Sequence, residues 1–140
     1  MPRSVLKLFL ASALVALLSN CATLAPSPPP VSQNAAVVAL VEQARTEAAS
    51  GKPASAAGSV ERALRIEPRN PYLWQELARL RLAQGDFAQA ENLAVRANTW
   101  AGSDRSLRSA NWQLIGEARA ARGDSLGAED ALRRARQFGR

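Results

Sequence analysis

Reactive side chains are scarce in this sequence, and their scarcity narrows the chemistry first. Among 140 residues there is no histidine and one cysteine, Cys21. Imidazole acid/base catalysis, a His-oriented Ser or Cys nucleophile and the usual zinc sites fall away together, and an internal disulfide goes with them. No metal site and no dissociable cofactor are expected. Two kinds of reactive group are left. Paired carboxylates can hydrolyse glycosidic bonds, and Glu117 with Asp124 or Glu129 is the nearest approach to such a pair. Set at helix caps and on polar helix faces, these acids read more simply as caps and solvated charges. Arginine is the other group: residues 105–140 hold eight arginines against Glu117, Asp124, Glu129 and Asp130, in a chain of net charge +6. A basic end of this kind suits an anionic polymer such as a nucleic acid, or a lipid surface. It equally suits the negative C-terminal end of a last helix.

Cys21 has an informative context. Arg3 and Lys7 accompany the apolar run at residues 8–18. That run fits the core of a signal peptide, about 7–15 residues, and falls short of the about 20 that span a bilayer. The tetrapeptide Leu18-Ser19-Asn20-Cys21 resembles the lipobox of bacterial lipoproteins, with Asn20 standing where Gly, Ala or Ser is usual. The resemblance implies that residues 1–20 are a signal peptide and that Cys21 carries a covalent lipid. Several acyl chains, at about 0.8 kcal/mol per buried CH₂, hold a protein at a membrane where one chain is marginal. Ala22 at the sorting position implies, for a Gram-negative source, the outer membrane facing the periplasm. Residues 21–34 then read as a disordered tether, with four prolines and no charge. Its polyproline stretch extends at about 3.1 Å per residue, so twelve residues reach about 37 Å.

Something must stand at the end of that tether, and from residue 35 the chain repeats itself. Trp74-Gln75-x-Leu77 recurs as Trp112-Gln113-x-Ile115, and Gly85-Asp86 with Ala90-Glu91 recurs as Gly123-Asp124 with Ala128-Glu129, each pair 38 positions apart. Leu40, Ala44, Gly51, Ala56 and Ala63 form a weaker copy 34 positions before Trp74, Ala78, Gly85, Ala90 and Ala97. In each second half, alanines and Val60 or Leu132 fall at i, i+4, i+7 and share one helical face. Asn70-Pro71 reads as a cap followed by Pro at the first helical position. Gly85-Asp86 reads as a left-handed stop followed by the next cap, with Gln89 three residues on. The pattern predicts helices at about 35–49, 54–66, 71–84, 87–98, 105–121 and 125–137.

These residues resemble the tetratricopeptide repeat, in which an aromatic, Leu, small residues, Gly and Ala recur at fixed spacings over helical hairpins. The second copy matches best, through Trp74, Leu77, Ala78, Gly85, Ala90 and Ala97 after Pro68. Glu47, Arg81 and Arg119 replace the family's Tyr, and residues 105–108 add about one helical turn. The expected fold is all-α, a short right-handed α-solenoid of three hairpins over residues 35–140, with repeats at about 37–70, 71–104 and 109–140. Trp74 and Trp112 are expected in its core.

The resemblance implies a membrane-anchored adaptor of the cell envelope that grips a partner protein or peptide on the surface of its first helices. Carried over residue by residue, that surface comprises Val38, Val41 and Arg45, then Tyr72, Gln75 and Arg79, then Ala110, Gln113 and Glu117. Arg45 and Arg79, one repeat apart, could jointly receive a carboxylate. Arrays of this kind usually end in an extra capping helix. None follows the sixth helix here, so a second copy or a partner is expected to cover a face that includes Leu132 and Phe138. A carboxylate-based envelope hydrolase, and an anionic-polymer binder using the arginine-rich end, are the rival readings.

Overall fold

A computed structural model describes residues 31–139. The expected signal peptide, Cys21 and most of the segment expected to be a tether lie outside the described residues. Within them are six α-helices and no strand: α1 (Ala35–Ala49), α2 (Pro53–Ile66), α3 (Pro71–Ala83), α4 (Phe87–Trp100), α5 (Arg105–Ala121) and α6 (Ser125–Phe138). None is long and apolar enough to cross a membrane.

Helix starts are set by short polar side chains. The Asn34, Asn70, Asp86, Asp104 and Asp124 side chains each accept a backbone N–H from the first turn that follows, satisfying donors that the helix itself cannot. Only α2 starts without such a cap, and there Pro53 at the first position removes one of the orphan donors instead. At the α3–α4 corner Gly85 takes φ +79°, which lets the Asp86 N–H reach back to the Arg81 carbonyl at 2.9 Å.

Packing follows the alanine faces. Ala56, Val60 and Ala63 on α2, Ala90, Ala94 and Ala97 on α4, and Ala128, Ala131 and Ala135 on α6 are all buried. Small side chains on each second helix allow it to nest against the first helix of its own hairpin, so α1 pairs with α2, α3 with α4 and α5 with α6. Successive hairpins then stack, α2 against α3 and α4 against α5, while α3 also touches α5. Larger side chains fill the joints: Val37, Val41, Leu73 and Leu77 around the first, Leu114 and Ile115 around the second. This is the short solenoid that the repeat predicted.

Three details go beyond the sequence pattern. The positions where the family has Tyr have become polar links between helices. Arg81 on α3 pairs with Glu61 on α2 at 2.6 Å, Arg119 on α5 pairs with Glu91 on α4 at 2.7 Å, and Glu47 on α1 accepts from Ser59 on α2 at 2.8 Å. Trp74 and Trp112 sit at the edge of the core and are only partly buried. Arg96 lies over one ring at 4.1 Å and Arg134 over the other at 4.8 Å. The two guanidiniums are themselves 38 residues apart, so the tryptophans occupy equivalent surroundings, sealed by arginine rather than by aliphatic packing. Finally, the chain is held before α1 begins. Ser32 donates to Glu67 at 2.5 Å and Asn70 Nδ2 donates to the Val31 carbonyl at 2.9 Å, so the last residues assigned to the tether already sit on the α2–α3 corner.

Candidate functional site

The first helices α1, α3 and α5 present a shared surface, and the nine residues assigned to it fall into three groups. Val38, Arg45, Tyr72, Arg79, Gln113 and Glu117 are exposed, and Ala110 is half-buried. Val41 and Gln75 are not surface residues: only 4% and 7% of each is exposed. Helical geometry explains the correction. In each triplet the middle residue lies about 60° round the axis from the first, at about 100° per residue. In α1 that rotation carries Val41 into the face shared with Val37 and Ala44, against α2. In α3 it turns Gln75 toward α5.

Gln75 does chemistry of a structural kind there. Its Nε2 donates to Asn111 Oδ1 at 2.8 Å, and Asn111 Nδ2 in turn donates to Asn98 Oδ1 at 3.0 Å. Asn111 is fully buried, so this amide chain fixes α5 in the angle between α3 and α4. Nothing in the repeat spacing distinguishes Gln75 from an exposed glutamine. The signal that could have found it is the unusual Asn111, which stands where the preceding copy has Leu73.

Charge on the surface is mixed and locally balanced. Arg45 pairs with Glu42 at 2.6 Å and Arg79 with Glu76 at 3.7 Å, each within its own helix. The two arginines therefore do not form a bare cationic pair, and exposed pairs of this type contribute little to stability. The three acids considered for hydrolysis are dispersed: Asp124 caps α6 by accepting the Gly127 N–H at 2.9 Å, while Glu117 and Glu129 are exposed on different helices. Among the described residues no three metal-ligating side chains cluster.

Tyr72 is tied across repeats. Its hydroxyl donates to Asp104 Oδ2 at 2.5 Å, while Asp104 Oδ1 accepts the Leu107 N–H at 2.9 Å. The Leu107 N–H and then the Tyr72 hydroxyl hold Asp104 below the usual carboxylate range, and the same carboxylate pushes the Tyr72 phenol upward. A carboxyl group with a depressed folded-state pKa contributes stability that is present above its unfolded value, about 4, and is lost as pH falls through the folded one. Asp104→Asn is expected to narrow the drop in urea midpoint between about pH 7 and about pH 3 relative to the parent protein. An unchanged drop would show that Asp104 carries no such linkage.

With hairpins, joints and surface described, the class is clear: these are stacked tetratricopeptide hairpins. A family model for the tetratricopeptide repeat matches residues 47–110, centred on the second copy. Among solved structures, the chain is similar to the globular C-terminal domain of LpoP from P. aeruginosa. The two are 43% identical, with a TM-score of 0.73, over 75% of this chain and 99% of that one. The chain belongs to the tetratricopeptide-repeat family. No curated protein matches it significantly.

Proposed function

We propose that the protein is an adaptor of the bacterial cell envelope, held at the membrane by a lipid on Cys21 and binding a partner protein through the first-helix surface. The observation that carries this reading is the stack of hairpins itself. Stacking leaves one row of first helices facing outward, with Val38, Tyr72, Arg79, Gln113 and Glu117 exposed along it. Such a row offers an extended contact area of mixed apolar and charged character, the composition of a surface that recognises a polypeptide. It has no enclosed arrangement of acid and base, so binding rather than turnover is what the exposed groups support. Family membership and the LpoP likeness support the same reading. The leader and Cys21 support the location, the outer membrane facing the periplasm.

A photo-crosslinking residue at Val38 or Gln113, compared in living cells with one at Val95 on α4, tests this directly. Val95 is 46% exposed and lies on a second helix. Discrete adducts are expected from the first two positions and not from Val95. Adducts confined to Val95 would move the interface to the second helices and end this assignment.

A further inference from the structure

The last described hairpin carries an open groove between α5 and α6, about 470 Å³ in volume, lined by Ser109, Gln113, Leu132, Ala135, Arg136 and Gly139. Its place in the repeat is known. One hairpin earlier, the equivalent angle between α3 and α4 is filled by α5, which contacts both helices. The register of 38 residues holds in detail, since Trp74 and Arg96 map onto Trp112 and Arg134, and both pairs stack. The groove is therefore the seat of a helix, built by the same rule as the seat that α5 occupies.

The lining says what that helix must carry. In the filled seat, Asn111 is received by Gln75 on one side and Asn98 on the other. Thirty-eight residues on, these receivers are Gln113 and Arg136. An amide pair that suits asparagine has become an amide and a guanidinium, two donors converging on one acceptor. Arg136 forms no ion pair with any described residue, and Asp130, six residues earlier on the same helix, holds Arg133 and Arg134 instead. Deeper in, Gly116 replaces Ala78 and Leu132 replaces Ala94, so the floor exposes an isobutyl group, and Leu132 is 39% exposed.

We infer that the α5–α6 groove receives an amphipathic helix of a partner protein, apolar toward Leu132 and bearing one Asp or Glu that is held between Gln113 and Arg136. This groove borders the first-helix row of the proposed adaptor function and shares Gln113 with it, while Leu132 and Arg136 belong to the groove alone. A carboxylate meets a guanidinium with charge-assisted hydrogen bonds that an amide cannot equal. A second copy stacked head to tail is a poorer occupant. It would bring α1, and Ala39 stands at the position equivalent to Leu73 and Asn111. A methyl group there reaches neither receiver.

The probe is a peptide with the sequence of residues 104–121, fluorescently labelled and held helical by a staple on its solvent face, since an isolated helix of this length is marginal. It is made with Asn111→Asp, Asn111→Ala and Asn111→Lys. Anisotropy titration against the full chain in mild detergent is expected to show the Asp peptide binding at least about tenfold more tightly than the Ala peptide. The receptor variant Arg136→Ala abolishes the preference, and Arg136→Glu reverses it in favour of the Lys peptide. Arg136 is exposed, so circular dichroism melting of both variants stays at the parent value and separates a binding loss from unfolding. No binding, equal binding of all three peptides, or a preference that survives Arg136→Glu overturns the inference. Sedimentation that reveals a dimer of the full chain, lost on Arg136→Glu, overturns it in favour of a second copy.

Discussion

Leu73→Ala is expected to lower the stability of the helical domain by about 2–5 kcal/mol, the range for emptying a fully buried leucine site. Leu73 has no exposed surface and lies in the joint between the first two hairpins, among Val37, Val41, Val60 and Leu77. Its neighbours are largely small or β-branched: Ala56, Ala57 and Ala63 have little side chain with which to collapse into the gap. The upper part of the range therefore applies. For a domain of roughly 100 residues each kcal/mol moves the melting temperature by about 4–8 °C, so a fall of more than about 10 °C should be seen. The consequence is also qualitative. A stacked array is held by nearest-neighbour joints, so a hollowed joint uncouples the first hairpin from the others. Urea unfolding followed by far-UV circular dichroism should then lose its single sharp transition. Val95→Ala, half-exposed on α4, serves as the control and should stay within about 0.5 kcal/mol of the parent. A change below about 1 kcal/mol for Leu73→Ala would mean that α3 is not seated in this way.

Cys21→Ser is expected to shift the protein from the membrane fraction to the soluble fraction almost completely. The chain before the helical domain carries the features of a lipid-anchored leader: a short apolar run, the Leu18-Ser19-Asn20-Cys21 motif and a Pro-rich segment. Membrane attachment by acyl chains is steep in chain number, because each buried CH₂ contributes about 0.8 kcal/mol, and a single chain gives only reversible binding. Serine offers no thiol for the lipid, and none of the described helices can replace the anchor by crossing the bilayer. Mass spectrometry of the parent protein should find the lipid on an N-terminal Cys21. Retention of the Ser variant in the membrane fraction would show that the attachment is made elsewhere.

The sequence made the helices legible to within a residue or two because their ends are written in local chemistry. Asn70-Pro71, Asp86 and Asp124 act within one turn of themselves, and no distant contact decides them. The alanine faces were legible for a similar reason, since periodicity alone puts Ala90, Ala94 and Ala97 on one side of α4. Legibility ended where the outcome depended on two helices at once. Gln75 looks like any polar residue until Asn111 is brought opposite it by the angle between α3 and α5. Trp74 and Trp112 sit at positions that repeat spacing assigns to the core, yet each lies at its rim beneath an arginine 22 residues further along. That arginine belongs to the next helix, and no local pattern announces it. The replacement of the family's Tyr by Arg81 and Arg119 was visible as a departure. Its meaning, an ion pair reaching back to the preceding second helix, required the stack.

The extra turn at residues 105–108 makes α5 four residues longer than α3. Arg105 donates to the Gln137 carbonyl at 2.7 Å, and Arg105 and Arg108 lie 5.8 and 5.6 Å from the Phe138 ring. Linear arrays of hairpins tend to fray from whichever end has a single neighbour. Here the beginning of one helix is buckled to the finish of the next, so the last described turn of backbone is belted down. Slow amide hydrogen exchange in the final turn of α6, outlasting that of the opening turn of α1, is the signature such a belt would leave.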